Sequence, residues 1–392
     1  MTGAEQIEES AELRGELSRL IESEGAISFA RFMELCLYHP RYGYYTSDRI
    51  RIGKQGDFFT SSSVHFLFGR LIARQVAQLW RLMGEGAFTL VEQGAGEGYL
   101  CLDLLDALEK EEPDLYQQLD YCIVEVSADH RRRQQQRLQH HLDRGRIRWC
   151  TLDELSSFCG CFLSNELVDA FPVHLVEKRD GQLREVMVRL EGEGLGEELG
   201  PLTDPRLIEY FSLCEQPLVE GNRTEVNLAA WDWMEQVGRK LERGAVLTID
   251  YGYPAVELLA PWRRAGTLLC YHRHQSSDNP YQHLGCQDIT AHVNFTLLET
   301  VGRQGGLEPL YFGEQYRFLM GLGFLEELIR LQALETDPNR AQALRMTLKN
   351  LILPEGGMGE SFKVLVQGKG IGTPELLCAR GISQIDLPPG AF

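Results

Sequence analysis

No apolar run in this 392-residue chain approaches the roughly 20 residues that a membrane-spanning helix needs. The opening residues, MTGAEQIEES, hold neither an apolar signal core nor an Arg-rich transit pattern, so membrane insertion and export are not expected. Basic charge is short as well. Lys and Arg number 39 against 57 Asp and Glu, and the net charge of −18 repels polyanions, which argues against nucleic acid as a partner. The densest basic run, Arg131, Arg132 and Arg133 through Arg137, is interleaved with Gln and His and reads as the solvated face of a helix. The ten cysteines are too few and too irregularly spaced for a disulfide scaffold, and no Cys-x-x-Cys pair occurs. Scattered reduced thiols fit the cytosol, and a cytoplasmic location is expected. Hydrolase chemistry finds no Gly-x-Ser-x-Gly elbow, and Ser61 to Ser63 have only His65 nearby as a base.

Hydrophobic residues make up 43% of the chain and charged residues 24%, the balance of a globular protein rather than a disordered one. Residues 4–24 place Leu13, Leu17, Leu20 and Ile21 on one helical face, and a second helix begins near Ser28. The stretch 38–63 is rich in Gly and aromatics and too long for a plain connector, the kind of loop that carries function. From residue 64 onward apolar runs alternate with helical periodicity. Strands are expected at 88–93, 121–126, 146–150, 160–166, 245–252, 307–313 and 361–370. Helices are expected at 64–83, 100–109, 127–140, 226–242, 294–304 and within 318–350, with Asn294 capping one start and Gly305-Gly306 stopping that helix. Such alternation implies an α/β fold around a parallel sheet. Segments 174–224 and 253–288 break it and read as insertions, the first with a hairpin at Asp180-Gly181. The expected organisation is 1–63 as N-terminal helices and active-site loop, 64–370 as the cofactor-binding domain carrying both insertions, and 371–392 as a tail.

The turn after the first strand of this series, VEQGAGEGYL, carries Gly94, Ala95, Gly96 and Gly98, so a ligand can lie against a strand-to-helix turn that lacks bulky side chains. A dinucleotide fingerprint would need a third glycine where Tyr99 stands. Glu92 at the strand end would repel a diphosphate but attract the ammonium of a methionyl group. Glu125, ending the second strand, can accept two ribose hydroxyls. Taken alone, the glycines are equally well read as a tight turn. With Glu92 and Glu125 in register they point to S-adenosyl-L-methionine.

After the fourth strand, SNELVDAFPV offers Ser164 or Asn165 as a helix N-cap with Glu166 and Asp169 on one face of its first turn. Acids at a helix start commonly serve only the macrodipole. At the carboxyl end of a central strand they are equally well placed for a ligand. Methyl transfer from a sulfonium is an in-line displacement that needs alignment and a competent nucleophile. If that nucleophile is a guanidinium, carboxylates must hold and polarise it, and Glu166, Asp169 and Asp57 could form the clamp.

The ordered set YHPRYGYY, GKQGDFFTSS, FGRLIA, LVEQGAGEGYLCLDLL, YCIVEVSADHRRRQQ, LSNELVDAFPV, IDYGY, GTLLCYHRH, QDITAHVNF and FKVLVQGKG resembles the MidA family of S-adenosylmethionine-dependent methyltransferases, from about Ile27 to Gly370. Mitochondrial members of that family assist complex I assembly and are regarded as protein arginine methyltransferases. The resemblance implies a class I, Rossmann-like, mostly parallel seven-stranded sheet with helices on both faces, an N-terminal helical extension and inserted subdomains. It also implies cofactor binding by Gly94, Gly96, Gly98 and Glu125, a roof over the site containing Tyr45, Gly56, Asp57 and Thr60, and roles for Asn165, Glu166 and Asp169. His272 and His292 fall in shared segments and are expected at the acceptor site or as anchors of its loops. The set His272, His274, His283, Cys286 and His292 matches no familiar metal spacing, and no metal is expected. Trp231 and Trp233 read as packing residues rather than an aromatic cage.

Three positions depart from the family pattern. Ser62-Ser63 replaces Pro-Glu, Asn294 replaces Asp, and Arg70 stands where an acid commonly follows Phe-Gly. The expected function is methylation of a protein side chain, an arginine of a respiratory-type protein. The alternatives are a small-molecule N- or O-methyltransferase and a cofactor-binding assembly factor without turnover.

Overall fold

In a computed structural model the chain is described at residues 8–46, 65–192, 194–349, 351 and 361–381. Its contacts divide into two units, and the described residues of Thr60–Leu167, Glu235–Tyr251 and Gly302–Phe392 form the one that carries the central sheet. Seven strands form the continuous path of that sheet: β1 (Phe88–Gln93), β2 (Leu119–Val124), β3 (Ile147–Cys150), β4 (Phe158–Asn165), β5 (Leu241–Tyr253), β6 (Glu308–Glu314) and β7 (Phe362–Lys369), and an eighth short strand, Val293–Asn294, pairs parallel with the end of β5. The seven lie in the order β3-β2-β1-β4-β5-β7-β6, all parallel except β7, which runs against both neighbours. This is the expected Rossmann-like methyltransferase sheet. The central strands read as near-continuous apolar runs because both faces are covered by helices. Helix Leu67–Leu82 buries Leu67, Phe68, Leu71, Ile72 and Val76, and helix Tyr99–Glu111 buries Leu100, Leu104 and Leu105, in one core with Leu90, Ile123, Leu163 and Leu247.

The second unit gathers the described residues of Met1–Phe59 with Val168–Met234 and Gly252–Val301. Helix Ala11–Glu24 buries Leu13, Leu17 and Ile21, and helix Phe29–Tyr38 is capped by the Ser28 side chain, which accepts from the Arg31 amide. Strand His174–Arg179 pairs antiparallel with Gln182–Glu191 through Asp180 (φ 51°) and Gly181 (φ 73°), the left-handed pair of a type I′ hairpin. Strands Ile27–Ser28, Gly194–Gly200 and Arg223–Val226 complete that sheet, and Leu269–His272 joins Gln275–Ser277 and Asp288–Thr290 in a smaller one. Asn294 accepts from the Leu297 amide at 3.2 Å, the expected cap, and Trp231 and Trp233 are buried.

Two local expectations need correction. The chain after β4 forms no α-helical turn. Ser164 and Asn165 remain in the strand, Glu166 adopts a left-handed φ of 51°, and only a single 3-10 turn follows at Val168–Ala170. Pro172 stands too close behind to let that turn extend, because the residue before a proline is driven out of the helical region. The basic run is not simply solvated either. Arg133 and Arg137 fold back onto Glu97, and Arg131 donates to the Glu125 carbonyl.

Arg70, the departure beside Phe-Gly, also finds its use here. Its guanidinium reaches Glu111 at 2.6 Å and Glu327 at 2.9 Å, and Arg74 and Arg330 converge on the same buried Glu327. Burial opposes ionisation of Glu327, but the Arg330 hydrogen bond and the charges of Arg70 and Arg74 outweigh it and lower its pKa. Removing Glu327 leaves three guanidinium groups facing one another. Glu327→Gln is expected to lose about 3 kcal/mol at pH 7 in urea unfolding. Because the folded-state pKa is depressed, the deficit is present above the unfolded carboxylate value and shrinks as pH falls through the folded one.

Candidate cofactor and acceptor sites

Strand register decides which residues share the carboxyl edge of the sheet. Gln93 pairs with Val124 of β2 and with Ser164 of β4, and Asn165 pairs with Ile249 of β5. Gly94, Glu125 and Asn165 therefore stand at one level at three neighbouring strand ends, and Glu166 follows one residue beyond. The turn after β1 places Gly94, Gly96 and Gly98 at φ 77°, 51° and 80°, a region open mainly to glycine. Gly98 caps the following helix, and a Cβ there would press 3.3 Å from Gln134 Cγ. Arg133 and Arg137 hold Glu97 between these glycines, and Arg137 also covers the Tyr99 ring at 3.7 Å. The basic run thus braces the loop.

Glu92 is buried beneath it and accepts from Tyr121 Oη at 2.7 Å. Burial, with a smaller push from the charge of Glu125, raises its carboxyl to about 7 despite the tyrosine bond. Glu125 is 7% exposed, accepts the Ser127 amide at 2.8 Å and lies 3.4 Å from His130 Nδ1. Beside it Val126 is 75% exposed, an apolar side chain left open next to an acid that could hold a ribose.

At the end of β4 the Asn165 amide donates to Glu166 Oε1 at 3.1 Å. Asn165 Oδ1 is buried without a hydrogen-bond partner among the described residues, so this edge retains an unused acceptor. The left-handed Glu166 is pinned on both sides: its amide donates to Ile249 O at 2.9 Å, and the Leu167 amide donates to Asp250 Oδ2 at 3.1 Å. Asp250 is fully buried and was not singled out from sequence, although a carboxylate closing the apolar strand AVLTID was a usable signal.

The acceptor candidates belong to the other unit. Tyr45 donates to Asp288 Oδ1 at 2.8 Å and stacks on Tyr38 at 5.5 Å. Its pKa rises through burial and then through the charges of Asp288 and Asp169. Tyr271 is raised by burial and by the same two acids. Asp169 is buried, and its carbonyl receives the Ala291 amide at 2.9 Å. His272 is tied into the fold, with Nδ1 at 2.8 Å from the Cys286 carbonyl and its ring stacked on His283. His292 lies 5.4 Å from Tyr253, and burial, helped by Arg263, lowers its pKa to about 4. Asp57 and Thr60 lie outside the described residues. Among the described residues the one group of three with ligand atoms close enough for a metal is Glu109, His140 and His141, not the histidines of 272–292.

A parallel sheet closed by one antiparallel strand, a glycine turn after β1 and an acid after β2 define the class I S-adenosylmethionine-dependent methyltransferases. The chain belongs to the family described as "Putative S-adenosyl-L-methionine-dependent methyltransferase", whose profile matches residues 71–313. It resembles a Burkholderia thailandensis protein crystallised with S-adenosyl-homocysteine, at 33% identity and TM-score 0.84 over 94% of this chain and 95% of that one. Among curated relatives, the Drosophila melanogaster "Protein arginine methyltransferase NDUFAF7 homolog, mitochondrial" is 28% identical over 92% of this chain and 85% of its own. The human "Protein arginine methyltransferase NDUFAF7, mitochondrial" is 28% identical over 87% of this chain and 80% of its own. These relatives overturn the cytoplasmic expectation, since both are named as mitochondrial. That expectation rested on scattered thiols, which any reducing compartment permits. No helix among the described residues is long and apolar enough to cross a membrane.

Proposed function

We propose that this methyltransferase modifies an arginine side chain of a protein. The observation that carries the reading is the pinned Glu166, a carboxylate held in left-handed backbone just after β4 and one residue beyond the level of Gly94 and Glu125. A non-glycine residue kept there by hydrogen bonds on both sides marks a position selected for its side chain. The names of the fly and human relatives support arginine as the acceptor.

The glycine turn with Ala95, Glu125 and Asn165 would hold S-adenosylmethionine, with Glu92 facing its ammonium. The orphaned Asn165 oxygen fits that assignment. When bound, the donor supplies an electrophilic methyl group. The protein's own task is to present the acceptor. A guanidinium, protonated below a pKa of about 12, becomes nucleophilic only when carboxylates orient it and localise its charge away from the attacking nitrogen. Glu166 and Asp169 take that role, with Asp57 as a third acid. Tyr45, held by Asp288, and His292, neutral above about pH 4, are assigned to acceptor binding. Thr60 and His272 belong to the same proposed set.

The test is to incubate the protein with radiolabelled S-adenosylmethionine and an extract of its host lacking this protein. The expected result is a labelled protein band that yields methylarginine on hydrolysis. Label confined to small molecules, or to another amino acid, would sink the arginine reading.

A further inference from the structure

Gln134 is fully buried in helix Ala128–Arg137, where a surface-facing basic run would leave no reason for a buried amide. Its side chain touches all three strand ends on its side of the sheet. Nε2 donates to the Gly96 carbonyl after β1 at 2.8 Å and to Glu125 Oε2 after β2 at 3.2 Å, while Oε1 accepts from Trp149 Nε1 of β3 at 2.8 Å. An indole N–H can only donate. Trp149 therefore fixes which end of the amide is oxygen and turns both N–H bonds toward Gly96 and Glu125.

From this geometry we infer that Gln134 is a positioning residue for cofactor binding. It sets the spacing between the glycine turn and the Glu125 carboxylate, and Trp149 locks its orientation. The inference rests on the reading that the glycine turn and Glu125 hold the cofactor. Neither contact is available to a merely space-filling side chain. Leu or Met could fill the volume, but would take the amide donor from the Gly96 carbonyl and from Glu125 Oε2, leaving that oxygen with His130 Nδ1 at 3.4 Å.

The test uses the full-length protein and S-adenosylhomocysteine in calorimetry, with the parent as control. If the parent fails to bind, the cofactor reading itself is wrong. If it binds, Gln134→Leu is expected to weaken binding about tenfold and to raise KM for S-adenosylmethionine equally, with kcat within about twofold. Trp149→Phe, which keeps the amide but frees it to flip, is expected to weaken binding about threefold. Unchanged affinity in both variants overturns the inference.

Gln134→Glu supplies a readout that loss of fold cannot imitate. It sets a second carboxyl about 3 Å from Glu125, and two such acids resist ionising together. The other charged groups around the pair are His130 and Arg131 on the same helix, Glu97 with its partners Arg133 and Arg137, and Glu92 under the turn. Because several of these groups accompany both proteins, affinity is read as the ratio of variant to parent. The expected ratio rises toward the parent near pH 5.5, where the protonated carboxyl regains one of the two donations, through its single O–H to Glu125, and falls at least tenfold from there by pH 8. A ratio that stays flat across that range overturns the inference even if affinity is low throughout.

Discussion

Glu166→Gln is expected to cut the rate of methyl transfer by two to three orders of magnitude while affinity for S-adenosylhomocysteine stays within about threefold of the parent. Glutamine keeps the size of the side chain and an oxygen able to accept the Asn165 amide, which donates to Glu166 at 3.1 Å. The backbone is equally insulated, because its left-handed turn is held by the Ile249 carbonyl and by Asp250 rather than by the glutamate side chain. What disappears is one negative charge. An arginine acceptor needs it to draw the guanidinium proton and delocalised charge to one side, whereas a bound thioether product does not. Initial rates with labelled donor, measured beside calorimetric binding, separate the two effects. A variant with full rate would rule out the carboxylate clamp, and one that lost affinity and rate together would place Glu166 in cofactor binding instead.

The parts of this architecture that were legible in the sequence are those with short-range causes. Apolar runs bounded by helical periodicity located all seven strands within a few residues, since each strand buried on both faces must be apolar throughout. Asp180-Gly181 specified its hairpin through two left-handed dihedrals. The glycine turn was read correctly as a turn for the same reason. Helical reading failed at SNELVDAFPV, where the pattern of acids looked like a capped first turn. There the deciding partners, Ile249 and Asp250, lie more than 80 positions away and are brought alongside only by the pairing of β4 with β5. The basic run misled in a similar way: within its own helix it offers only Asp129 as a counter-charge, and Glu97, the partner shared by Arg133 and Arg137, arrives from a different strand-to-helix turn. The joining of the N-terminal helices with 174–224 and 253–288 in one unit likewise depends on contacts distant in sequence.

Glu92→Gln is expected to stabilise the protein without cofactor at pH 8 and to weaken cofactor binding at the same pH. In the folded chain burial raises the Glu92 carboxyl from 4.5 to about 7. A carboxyl whose pKa is raised by folding favours the native state fully below its unfolded value, and that contribution is lost as pH rises through the folded value. At pH 8 the ionised, buried Glu92 thus costs on the order of 3 kcal/mol relative to an ordinary exposed glutamate. Gln carries no charge and can still accept the Tyr121 hydroxyl, which lies 2.7 Å from Glu92 Oε2. Its gain should therefore be largest at pH 8 and close to nothing near pH 4.5. Such a burden persists in a fold only where the charge has a use, and an ammonium group brought beneath the glycine turn would supply its counter-ion. Binding by the parent at pH 6 should then release a proton, visible as a calorimetric enthalpy that changes with the ionisation enthalpy of the buffer. The variant should show no such dependence from Glu92, and its affinity at pH 8 should fall at least tenfold, the scale of one lost charge-assisted contact. If Glu92→Gln binds S-adenosylhomocysteine as tightly as the parent at pH 8, the carboxylate does not face the ammonium, and its burial must be explained by packing against Tyr121 alone.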